Sequence, residues 1–267
     1  AWAERCAPRY SWDVDIDHTR ELVDVVQGIQ LVLHTCTEPG DGVVVHTPAY
    51  PPFLHSVEDS GRRVVRLAAQ ADASSSTGWA FDHDELDERL RTESARVLLL
   101  CHPHNPTGHV FSEDSLQRLA DIAERHDLLI ISDEIHADLV YGARHVPMAR
   151  YAPDRTVTLQ AASKAFNLAG VRFAIAHVGP QWVRDRIAAL PDHLLGATNA
   201  MGAIAADAAW RHGDEWLAAV VARLDGNRRL LVDLLAEHLP SIGYTPPAAT
   251  YLAWLDCRAL GWGDDPS

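Results

Sequence analysis

Lys164 is the single lysine among the 23 basic residues of this 267-residue chain, the rest being arginines. An arginine keeps its proton at any pH a protein meets, whereas a desolvated lysine can shed it and attack a carbonyl carbon to form a Schiff base. A chain that uses guanidinium almost everywhere has kept one amine. Beside it stands Ser163, and eight residues on comes Arg172, whose planar fork suits a phosphate. Other polar groups fall in short phrases: Asp133-Glu134-Ile135-His136, Asn105-Pro106-Thr107-Gly108 and Thr47-Pro48-Ala49-Tyr50-Pro51. Singly each is ordinary, since an aspartate closing a strand is commonly a turn or cap and Asn-Pro-Thr-Gly is a fair turn. His102, His104 and His109 lie near Asn105, but no carboxylate-bearing metal motif accompanies them, so they read as surface or loop histidines and no metal site is expected.

These phrases need strands to carry them. β-branched or leucine-rich runs recur at Val43 to His46, Arg63 to Leu67, Val97 to Cys101, Leu128 to Ser132, Thr156 to Gln160 and Phe173 to Val178, with amphipathic stretches between them. The alternation predicts an α/β fold, a mostly parallel sheet with helices on both faces. Ser112 starts a helix running to about Arg125, and Pro39-Gly40-Asp41-Gly42 stops one that begins near Asp24. Ala71 to Gly78, with three serines in a row, reads as a surface loop. Apolar spacing from Asp214 to about His238 predicts a long helix, followed by a strand-like segment from Thr250 to Asp256. We therefore expect a large domain over 1–213, and a linking helix with the start of a small α+β domain over 214–267. Ligands of such sheets sit at the carboxyl ends of the strands, where the polar phrases fall.

The bulk properties exclude several classes. A net charge of -14 and a pI near 5.4 repel polyanions, so neither nucleic acid nor an anionic membrane surface is expected as a partner. The longest apolar runs, such as Val97 to Cys101, are too short to cross a bilayer, and no targeting segment is evident at the N-terminus; the expected location is the cytoplasm. Cys6, Cys36, Cys101 and Cys257 stand far apart without a CxxC pair, which fits reduced, mostly buried thiols.

The phrases HTPAYPPF, NPTG, SDEIH, SKAFNLAG and ATYLAWLD together resemble the fold type I pyridoxal-phosphate enzymes of the aspartate aminotransferase superfamily, and within it the MalY/PatB-type cystathionine β-lyases. The resemblance implies pyridoxal 5′-phosphate as cofactor. It implies Lys164 as the residue that carries the cofactor and moves the Cα proton, and Asp133 as partner of the pyridine nitrogen. Arg172, the helix-start amides of Val25 and Val26, and Ser163 would hold the phosphate; Tyr50 would stack on the ring and Asn105 would bond its 3′-oxygen. His136 stands where most aminotransferases of the superfamily have tyrosine, and the DEIH form resembles the carbon-sulfur lyase branch. Ala161 replaces the usual serine or threonine three residues before the lysine.

The resemblance also implies an amino-acid substrate, a homodimer in the intact protein, and segments beyond both ends of this chain: an N-terminal one with a tyrosine reaching the partner subunit's site, and a small domain whose arginine binds the substrate carboxylate. The chain is thus expected to be truncated. The implied reaction is β-elimination of thiol from cystathionine or another cysteine S-conjugate; amino transfer, and a protein that binds the cofactor without turnover, remain the alternatives.

Overall fold

Val97–Cys101 is apolar throughout, and its side chains divide by parity: Val97, Leu99 and Cys101 enter one core, Leu98 and Leu100 another. Successive strand side chains point to opposite faces, so a wholly apolar run demands cover on both. The computed structural model, which describes residues 1–72, 74, 75, 77–191 and 193–261, supplies that cover. In chain order the elements are α1 (Trp2–Tyr10), β1 (Thr19–Leu22), α2 (Val25–Cys36), β2 (Gly42–Thr47), α3 (Pro51–Asp59), β3 (Arg63–Ala68), β4 (Gln70–Ala71), β5 (Trp79–Ala80), α4 (His83–Leu90), β6 (Val97–Cys101), α5 (Glu113–Arg125), β7 (Leu129–Asp133), β8 (Thr156–Gln160), β9 (Ala174–Val178), α6 (Gln181–Ala188), α7 (Ala200–His212), α8 (Asp214–His238), β10 (Gly243–Tyr244) and β11 (Leu255–Asp256).

Seven strands form one sheet in the order β1-β9-β8-β7-β6-β2-β3. Neighbours from β8 to β3 are parallel, whereas β9 runs antiparallel to both β8 and β1. Side chains of α2, α3 and α6 cover one face through Ile29, Phe53 and Val183, and those of α4 and α5 cover the other through Leu86, Leu116 and Leu119. A third core joins α1 to α7 and α8 through Trp2, Cys6, Trp210 and Leu217.

The expected strands and helices occur with their ends shifted by a residue or two, and Ser112 caps α5 by accepting the N–H of Ser115 at 3.1 Å. One expectation is corrected: of Thr250 to Asp256 only Leu255–Asp256 is strand, paired with Gly243–Tyr244. The preceding residues form a strap, because the Thr250 N–H donates to Leu139 O at 2.8 Å, Ala248 N–H to Gly108 O at 3.1 Å, and Tyr141 N–H to Ala248 O at 2.8 Å. Residues 73 and 76 of the expected loop, and 262–267 of the expected second domain, lie outside the described residues.

Candidate active site

Four parallel strands, β2, β6, β7 and β8, end on the same side of the sheet, and the residues following them wall a cavity of about 220 Å³. All nine residues singled out in the sequence line it: Val25, Val26, Tyr50, Asn105, Asp133, His136, Ser163, Lys164 and Arg172. Lys164 sits half-buried in the turn after β8, a turn closed by the Phe166 N–H to Ala162 O bond at 2.9 Å. Asn105 follows β6 at the start of a turn ending in Gly108, which has φ +67 and whose added Cβ would stand 2.2 Å from Pro247 Cβ. Only glycine fits there.

Asp133 ends β7 with its carboxylate buried, and Oδ1 accepts the Ile135 N–H at 3.0 Å. Burial pushes the carboxyl up to about 7, with the charge of Glu134 adding to the rise; the Ile135 amide and Lys164 act against it. Such a group gains from a cationic partner. His136 is also buried; burial, followed by the charge of Lys164, lowers it to about 3, so it is a neutral imidazole near neutral pH, and its Nδ1 has no partner among the described residues.

At the far end of the cavity Asp24 caps α2, accepting the Gln27 N–H at 2.8 Å, so the first amides of the helix, at Val25 and Val26, have no intrahelical partner and stand at the cavity wall. Arg172 reaches the same place from a left-handed backbone, φ 47, and is ion-paired with Asp24. A helix N-terminus and a guanidinium together make an anion site.

The residues fit a group that has an aldehyde for the Lys164 amine, a basic ring nitrogen for the buried Asp133, and a phosphate for Arg172 and the start of α2. The His136 Nδ1 in the cavity wall is a buried polar atom with no partner among the described residues. Ala161 lines the cavity without a hydroxyl, whereas Ser163, also in the wall, offers one.

Sequence reasoning had not assigned Asp24, Cys101, Ile135 or Phe173 to the cavity, which they help to line. Asp24 was legible as a helix cap, but its pairing with Arg172 was not. His102 and His104 are a correction: they are fully buried rather than at the surface. The chain leaving β6 folds inward, the two rings packing against Phe111 and Phe81, with His104 Nδ1 2.8 Å from Thr107 Oγ1. Burial holds both well below the usual histidine range. Among the described residues no three His, Cys, Asp or Glu side chains are grouped to hold a metal ion, and no helix is long and apolar enough to cross a membrane. A second crevice, of about 430 Å³, opens at the other end of the strands; its Arg155 is bonded to Ala123 O and Leu128 O, and Arg186 lies over the Trp182 ring.

The profile of the family aminotransferase class I and II matches residues 19–264. A protein of Mycobacterium tuberculosis is 39% identical over 99% of this chain and 66% of its own length. Cystathionine β-lyase PatB of Bacillus subtilis is 34% identical over 96% of this chain and 67% of its own length. The crystal structure of cystalysin from Treponema denticola, which contains pyridoxal 5′-phosphate, superposes with a TM-score of 0.92 at 29% identity, covering 97% of this chain and 66% of that one. The chain thus spans about two thirds of the length of the curated relatives it matches. With a profile match over most of its length, and a fold whose strand ends gather the lysine, aspartate and arginine into one cavity, the chain belongs to the aminotransferase class I and II family.

Proposed function

We propose that the protein is a pyridoxal 5′-phosphate-dependent carbon-sulfur β-lyase acting on L-cystathionine or a related cysteine S-conjugate. The observation that carries this reading is the convergence of Lys164, Asp133, Asn105, Arg172 and the start of α2 on one cavity. The likeness to PatB and cystalysin directs it toward the lyases, and His136 at the tyrosine position agrees with that branch.

When bound, the cofactor supplies an electron-withdrawing ring that accepts negative charge from Cα of the amino acid. Lys164 carries it and, once freed, takes the proton from Cα. Asp133 holds the proton at the ring nitrogen, a task that suits a buried carboxylate with a raised proton affinity. Arg172, Ser163 and the amides of Val25 and Val26 would hold the phosphate, Tyr50 would pack on the ring, and Asn105 with neutral His136 would offer it hydrogen bonds. The thiolate leaves from Cβ, and the remaining three carbons take up water to give pyruvate and ammonia.

Residues 214–261 are read as the start of a second domain, because α8, 25 residues long, buries only Leu217 and Leu235. Leu194, Met201 and Ile204 expose large apolar side chains, which supports a homodimer, and four free thiols suit a cytoplasmic, reducing setting. Pyruvate and thiol released from cystathionine with no keto acid added is the expected result. Turnover only when a keto acid is supplied would make the protein an aminotransferase, and a bound chromophore without product would make it a binding protein.

A further inference from the structure

Next in the chain after the carboxylate assigned to the cofactor stands another that the proposed chemistry does not use. The Glu134 side chain is fully buried. Its Oε1 accepts from Ser132 Oγ at 2.9 Å and from the Met148 N–H at 3.0 Å. Its Oε2 faces His145 Nε2 at 2.8 Å and Gln160 Nε2 at 3.3 Å. Both carboxylate oxygens are thus taken up by donors, the His145 Nε2 nitrogen among them. Gln160 is fixed in turn by the Trp2 indole N–H, 2.8 Å from its Oε1, and the Glu134 N–H donates to Leu159 O at 2.9 Å.

Burying an ion this thoroughly is costly unless the charge or the geometry serves something. Both point at Asp133. Glu134 is its immediate chain neighbour, and the bonds to Ser132 and Gln160 tie the end of β7 to the end of β8, four residues before Lys164. The side chain therefore sets the peptide from which Asp133 projects, and sets it relative to the lysine strand. Asp133 lines the cavity and Glu134 does not, and Lys164 and Cys101 are the other titratable groups that interact with Asp133. A fixed negative charge there raises the proton affinity of whatever shares a proton with Asp133.

We propose that Glu134, clamped by His145 and Gln160, is a positioning residue that aims Asp133 into the cavity and strengthens its hold on the ring-nitrogen proton of the bound cofactor. The inference rests on the role given above to Asp133. The test compares the affinity of the cofactor-free protein for pyridoxal 5′-phosphate with that for its 1-deaza analogue, in which carbon replaces the ring nitrogen, and uses inorganic phosphate as a third ligand that never reaches Asp133.

The parent protein should prefer the true cofactor by about tenfold or more, the scale of one unit of differential proton affinity. Glu134→Gln should lose most of that preference while binding inorganic phosphate as before, and in the cofactor-free protein the carboxyl NMR titration midpoint of Asp133 should fall. Should Glu134→Gln not fold, Glu134→Ala, which removes the charge together with the clamp, carries the same comparison. A preference retained in the folded variant overturns the inference. Absence of any preference in the parent overturns instead the reading of Asp133, and the inference with it.

Discussion

Asp24 and Arg172, 148 residues apart in the chain, form an ion pair at the anion end of the cavity. The same carboxylate caps α2, so one residue takes up the Gln27 amide and neutralises the guanidinium where a phosphate is proposed to bind. With the Arg172 side chain 60% exposed, the pair is of the kind that contributes about 1 kcal/mol or less, and an incoming dianion can displace it. Asparagine caps a helix as well as aspartate does and lacks the charge. Asp24→Asn should therefore bind inorganic phosphate about fivefold more tightly, corresponding to roughly 1 kcal/mol, in a calorimetric titration. Weaker binding would mean that Asp24 serves mainly to orient Arg172.

Lys164 is the only side-chain amine available to the cavity. The protein loaded with pyridoxal 5′-phosphate should be yellow, and borohydride should fix the label on the peptide containing Lys164. Lys164→Arg should keep the cation and lose the label along with the turnover. A label found only on the N-terminal amine would remove Lys164 from its role.

Asp133→Asn replaces a carboxylate raised to about 7 with an amide that cannot hold a pyridinium proton. Cofactor should still bind through Arg172 and α2, while removal of the Cα proton should slow by about a hundredfold or more, followed as loss of deuterium from a Cα-labelled substrate. Near-normal exchange in that variant would sink the assignment.

Acid should weaken the cofactor-free fold through its buried histidines. His46 and His136 are lowered to about 3 and His109 to about 4, burial being the main cause in each case. Unfolded histidines take up protons below about 6.5. Between these limits the unfolded state binds more protons, so the stability is fully present above pH 6.5 and is lost as pH falls toward 3 to 4, by about 2 kcal/mol for each histidine at pH 5. Asp133, raised to about 7, acts in the opposite direction: its contribution is full below the ordinary carboxylate range and is lost as pH rises through 7. Three groups outweigh one, so the urea midpoint should drop between pH 6.5 and 5. His46 has neither ring nitrogen partnered among the described residues and packs on Phe81 and Phe111. His46→Leu should thus flatten the drop, and an unchanged pH profile would show that His46 finds a partner in solution.

What could be read along the chain was whatever depends on near neighbours. The apolar run Val97–Cys101, the Ser112 cap of α5 and the helical spacing of Asp214–His238 each declare their element within a few residues, because strand and helix periods and caps are local. Tyr50, Asn105, Asp133, His136, Ser163, Lys164 and Arg172 were legible for a related reason: they end or follow strands read in the sequence, and parallel strands end on one side, whereas Val25 and Val26 came only from the family resemblance. The rest waited for tertiary packing. Nothing local in Phe173 to Val178 says that β9 runs against β8, nor in Thr19–Leu22 that a strand exists; the partner strand supplies both. Thr250 looked like strand and became part of a strap because Leu139, far away in the chain, accepted its N–H, as Gly108 accepted that of Ala248. His102 and His104 carry a polar composition that suggests surface, yet burial belongs to where the chain after β6 turns, beneath Phe81 and Phe111. Asp24 with Arg172, and Glu134 with His145 and Gln160, are pairings between polar side chains that only folding brings within reach, since a side chain recognises its partner by distance in space and the order of residues does not state that distance.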